Sequence, residues 1–119
     1  KRRHISLANS FVNKKVDLTT TSATTLYTVP DATTAIIKSI LVSEDSGNAD
    51  TITVTITDTA DAVFSLFKTK AISANATTEL LTAPLVLQQN EVLKVTAATA
   101  NRLHVVLSAL QSKPREVIT

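Results

Sequence analysis

Residues 50–58, DTITVTITD, alternate without a fault: Ile52, Val54 and Ile56 share one parity, and Thr51, Thr53, Thr55 and Thr57 the other. Successive side chains of a strand point to opposite faces, so this stretch predicts a strand with one apolar face and one hydroxyl face. In Thr34–Glu44, TAIIKSILVSE, simple alternation groups Ile36, Lys38, Ile40 and Val42 against Ile37, Ser39 and Leu41. Apolar groups on both faces predict a central strand. LYTVP at 26–30 sets Leu26 and Thr28 against Tyr27 and Val29, and Pro30-Asp31 ends it, because proline fixes φ and removes a donor. Residues 63–70 set Phe64, Leu66 and Lys68 against Val63, Ser65 and Phe67.

Short strands are also predicted over 77–81, over 85–87 after Pro84, over 91–97 and over 103–110. EDSGNAD, with the only glycine, Gly47, reads as a hairpin loop. Residues 98–111 also place Leu103, Val106, Leu107 and Leu110 at helical spacing, but Val105-Val106 and the surrounding strands favour a strand. About eight short strands with frequent turns predict an all-β chain. The expected fold is a single antiparallel β-sandwich over 16–111, of jelly-roll or Ig-like topology. Residues 1–15 read as a basic arm, in which 6–12 could pair as a strand or dock. Residues 112–119 read as an exposed tail. Removing 1–15 is expected to leave the fold intact.

Composition supports this class. Threonine occurs 20 times in 119 residues, and Thr, Val and Ile branch at Cβ, which suits a pleated surface. Three Phe, one Tyr and no Trp leave the core to aliphatic residues. The absence of cysteine excludes disulfides, thiolate metal sites and a cysteine nucleophile. The net charge is +2, with the excess at the two ends. A nucleic-acid footprint would need more basic residues on one face, interleaved with aromatics, so none is expected. No apolar run approaches the roughly 18 to 20 residues of a membrane-spanning helix. A start methionine is not expected to be trimmed before Lys1, so the chain is expected to be a processed product or to lack its first residues.

The candidate chemistry is sparse. Glu44, Asp45, Asp50, Asp58 and Asp61 bracket one hairpin, but without the spacing of a calcium loop, so they read as solvated turn acids. His4 and His104 lack neighbouring ligands, and His104 reads as an edge or interface residue. There is no G-x-S-x-G element. Asn75-Ala76-Thr77 is a glycosylation sequon by chance. No catalytic residue, metal site or cofactor is expected. Two features fit docking. The hydroxyl row Thr51, Thr53, Thr55 and Thr57 loses little side-chain entropy when covered. The ends carry Lys1, Arg2, Arg3, Phe11, Lys14, Lys15, Lys113 and Arg115, suited to an acidic neighbouring subunit.

LYTVP at 26–30, TTAIIKSILVSEDSGNADTITVTITD at 33–58 and ISANATTELLTAPLVLQQNEVLKVTAATANRLHVVLSAL at 72–110 resemble a type of small virion protein of tailed phages. Asn90-Glu91 stands where such proteins usually carry Gly-Asp, and both ends lie outside the match. The resemblance implies a non-enzymatic β-sandwich, assembled in the host cytoplasm and located in the virion. It favours a capsid cement or decoration protein that bridges capsomers. Its implied partners are the phage major capsid protein and further copies of itself. A tail, neck or fibre-adaptor component is the alternative. A carbohydrate-binding attachment module is a third reading, weakened because most of the aromatics look like core.

Overall fold

The computed structural model describes residues 3–118, with side chains described over 6–114. Nine strands follow in order among these residues: β1 (Arg3–Asp17), β2 (Thr24–Thr28), β3 (Thr34–Glu44), β4 (Asp50–Thr57), β5 (Val63–Ile72), β6 (Thr77–Glu79), β7 (Leu85–Leu87), β8 (Val92–Ala97) and β9 (Leu103–Ile118). One sheet, here sheet A, has the order β1-β9-β3, with β6 and β7 both on the far side of β3. Sheet B has the order β2-β8-β4-β5, and every pairing is antiparallel. The first strand lies beside the last, and the chain passes back and forth between the sheets. This is the jelly-roll order, so the expected antiparallel sandwich is found and the Ig-like alternative falls away.

The inward residues of β4, β8 and β9 pack between the sheets. Ile52 and Val54 of β4, Leu93 and Val95 of β8, and Leu103, Val105 and Leu107 of β9 are all fully buried. Each such side chain is worth about 1.5–3 kcal/mol against remaining in water. The apolar set expected of β4 is therefore core. Tyr27 is the one aromatic among the fully buried side chains, and Gln111 Nε2 donates to its hydroxyl over 2.6 Å, tying β9 of sheet A to sheet B.

Simple alternation fails where the ladders shift register. Between Ile37 and Ser39 the β3–β9 pairing skips, so Lys38 bulges out. Ile37 therefore faces the core with Ile40 and Val42, while Ile36 turns outward; this corrects the grouping of Ile36 with them. A shift between Thr25 and Tyr27 likewise buries both Leu26 and Tyr27. An inserted residue bends its strand and reverses the faces beyond it.

The two ends also differ from expectation. The segment read as a tail continues β9, and the basic arm is β1, one strand more than the eight expected. Their backbones pair from Arg3↔Ile118 to Asp17↔His104. Val12 and Val16 pack against the core, so removing 1–15 would strip a sheet strand rather than spare the fold. Pairing of β9 with β3 stops at Ser112↔Thr34. Beyond it, residues 113–118 pair only with residues 3–8, a two-stranded ribbon of six rungs reaching about 20 Å at about 3.4 Å per residue. Pro114 fits there, because β9 has a neighbour on one side only. The ribbon accounts for an elongated molecule of 62 × 28 × 23 Å.

Candidate docking surfaces

The residues singled out for contact do not form one surface. Thr51, Thr53, Thr55 and Thr57 lie on the outer face of sheet B, each half-buried. Their cross-strand neighbours there include Thr96, Lys94, Val92, Ser65 and Val63. Phe11, Lys14 and Lys15 lie on β1 in sheet A, exposed. Lys113 is exposed in the ribbon; the backbones of Arg3 and Arg115 lie in it, but their side chains fall outside the described part. Lys1 and Arg2 lie outside the described residues altogether, and so does the side chain of His4. The fold thus brings Arg3, Lys113 and Arg115 into the ribbon, keeps Lys14 and Lys15 on the sandwich, and places the threonine row on the other sheet.

The outer face of sheet A carries a feature that alternation did not reveal. Phe11, Leu110, Ile36 and Val86 stand in one transverse register over β1, β9, β3 and β7. Phe11 is 83% exposed and Val86 52%. Toward the opposite end, Val106 and Leu41 form another exposed apolar pair across β9 and β3. The bulge at Lys38 exposes Ile36, and the sequence offered no sign of it. Between Phe11, Asn13, Lys38 and Ser108 lies a shallow hollow of about 310 Å3.

Phe64 on β5 is 55% exposed, and Val63 and Leu66 are also uncovered. Of the four aromatics, Tyr27 is buried and Phe67 packs against the core, while Phe11 and Phe64 face solvent. These two sit on opposite margins of the sandwich and form no common platform.

The acids do more than line turns. Glu44 is buried, and its carboxylate collects the loop that follows. The amides of Ser46 (2.9 Å), Gly47 (3.0 Å), Asn48 (3.1 Å) and Asn75 (3.1 Å) all donate to it, as does the Ser46 hydroxyl. Gly47 adopts φ +81°, which lets the loop wrap around the carboxylate. Burial opposes ionisation, but the Ser46 hydroxyl and the amides outweigh it and hold the carboxyl at about 2. Asp50 is buried too, accepting from the Thr99 amide at 3.2 Å. Glu44 and Asp50 are therefore structural acids, which corrects their reading as solvated groups.

Glu79 fills the break between β6 and β7. It accepts from the Ser39 hydroxyl and from the amides of Ile40 (2.8 Å) and Leu81 (3.3 Å). Burial raises its carboxyl, but the Ser39 hydroxyl and these amides lower it more. His104 lies on β9, flanked by β1 and β3, and so is not on an edge strand. Its Nε2 is 3.2 Å from Asp17 and its Nδ1 3.4 Å from Asp45. Among the described residues, no three His, Cys, Asp or Glu side chains cluster so as to hold a metal. Among the described residues, no helix is long and apolar enough to cross a membrane.

No family model and no curated protein matches the sequence. Among solved structures, the chain is similar to one from the disulfide-linked pili of Bacillus endospore appendages, at 10% identity and TM-score 0.49, covering 95% of this chain and 90% of that one. It is similar to a chain in the acid-stable capsid of Helicobacter pylori bacteriophage KHP30, at 13% identity and TM-score 0.44, covering 99% and 100%. It is also similar to a chain of the cyanophage Pam1 capsid, at 18% identity and TM-score 0.37, covering 93% and 86%. At these identities, none carries a role across to this chain.

Proposed function

We propose that the chain is a non-enzymatic structural protein of a phage virion, and within that class a capsid cement protein bound to the outer shell. The observation that carries this reading is the transverse apolar row Phe11–Leu110–Ile36–Val86 on an uncovered sheet face. Contiguous exposed apolar surface on a folded domain marks an interaction site. Flat sheet faces suit area-driven docking, and many copies make weak contacts collectively strong. Jelly rolls occur in viral coats and also in lectins and cupins, so the fold alone does not choose among them. The separation of Phe11 from Phe64 disfavours a glycan platform. The partner in this reading is the major capsid protein.

Cryo-EM of the native particle tests the reading. The expected result is density for this chain over the shell, on the order of hundreds of copies, with Phe11 and Val86 covered. About 6 to 12 copies in a neck or tail ring would assign it to that location instead. Absence from particles would overturn the proposal. Phe11→Lys should lower shell occupancy while leaving unfolding of the isolated chain unchanged.

A further inference from the structure

Leu66, Phe67, Leu80, Leu81, Pro84 and Leu85 line a groove of about 300 Å3 between β5 and the 80–85 loop. Val63 and Phe64 stand exposed on β5 just before it. This margin is a free strand edge with apolar residues beside it, a surface that folded proteins usually cover. The ribbon has the complementary deficit. It is two-stranded, and a strand pair without a third layer or a covering surface is marginal in water. It presents Leu7, 68% exposed.

Charge gives the match a direction. The ribbon has Arg3 at its tip rung, and its other strand holds Lys113 and Arg115 against Glu116. Along β5, Asp58 and Asp61 sit in the turn before Val63, while Lys68 and Lys70 lie toward the other end. We infer that the ribbon of one copy lies along β5 of a second copy. Its apolar residues enter the groove, and its basic tip points at Asp58 and Asp61.

The topology then fixes the arrangement. The ribbon leaves the sandwich at the end where β3 begins, since Ser112 pairs with Thr34. Residues 45–49, read from the sequence as a hairpin loop, instead carry the chain from β3 across to β4 in the opposite sheet, where it runs back, so β4 ends there too and Asp58 and Asp61 lie at that same end. A neighbour whose ribbon tip reaches them must enter from the opposite end, with both copies pointing the same way. The contact is head-to-tail between unlike surfaces, which closes into a ring or continues as a filament. A twofold contact of ribbon on ribbon would instead bring cation against cation. This inference goes beyond the virion reading and needs only copies of the chain.

Sedimentation velocity of the full-length chain over a concentration series tests it. The wild type should associate beyond dimers as concentration rises. Leu7→Asp and Leu66→Asp should each weaken self-association at least about tenfold, as expected for an apolar anchor at an interface. Mixed in equal amounts, the two variants should form a pair and stop there, because each retains the half that the other lacks. Circular dichroism checks their folding, and Phe64→Asp replaces Leu66→Asp if the latter unfolds. A wild type that stays monomeric to millimolar concentration would overturn the inference. So would variants that fail to complement each other while the wild type associates. Association in solution by a chain absent from particles would sink the virion reading alone.

Discussion

The amide of Thr69 donates to the hydroxyl of Thr53, 3.0 Å away. Thr69 sits where the β4–β5 ladder slips, at φ +48°, a left-handed conformation that a β-branched residue rarely adopts. One member of the threonine row is thus committed to holding a bulge in the neighbouring strand. Its neighbours in the row have no such task among the described hydrogen bonds.

The threonines should therefore respond differently to loss of the hydroxyl. Thr53→Val should cost about 1 kcal/mol, the usual net value of one hydrogen bond. Thr55→Val and Thr57→Val should stay within about 0.5 kcal/mol. Urea unfolding of the three variants measures this directly, and equal effects would mean that the bulge contact contributes nothing. Thr69→Gly should be neutral or stabilising by up to about 1 kcal/mol, since glycine accepts the left-handed region without strain.

Glu44 gives the molecule an acid limb. Its carboxyl lies at about 2 in the fold against an ordinary 4.5, so the unfolded chain binds the proton more readily. The contribution is complete above about pH 4.5 and is lost as pH falls toward 2. Glu79 acts in the same direction. Thermal melts from pH 6 to 2 should show stability falling through this window. Glu44→Gln should lower the melting temperature near neutrality and flatten the fall; an unchanged acid limb would locate the effect in other groups.

Burial separates fold from contact. Leu107→Ala, in a fully buried position, should destabilise by about 2–5 kcal/mol. Leu7→Ala and Phe11→Ala should change the stability of the isolated chain by less than about 0.5 kcal/mol, because both side chains already face water. Denaturant midpoints decide the matter.

Tyr27→Phe removes the hydroxyl that accepts from Gln111, a link between the sheets near the root of the ribbon. A loss of about 1 kcal/mol is expected, with the ring still filling its site. Hydrogen exchange should quicken at the amides of residues 109–112 before it does in β4.

Where alternation runs unbroken, as through β4 and β8, it gave the strand and its inward face. Ile52, Val54, Leu93 and Val95 are core as the pattern demanded. At Lys38 and at Thr25 to Tyr27, one extra residue reversed the faces, and a bulge leaves no mark in a period-two reading. The exposed row through Ile36 was hidden for that reason. Glu44 was misread because its five partners are backbone amides and a serine hydroxyl brought in by loop geometry, which composition does not encode. The pairing of the two ends was equally hidden, since β1 and β9 are separated by nearly the whole chain.

The break between β6 and β7 has a consequence for solubility. Each contributes only three residues to the margin of sheet A, and the gap between them is closed by the Glu79 side chain rather than by a strand. An interrupted edge cannot template a long ladder with another molecule. A chain made in large amounts before it meets its partners would gain from such an edge, because it removes a long straight strand on which cross-β aggregation could begin on that side.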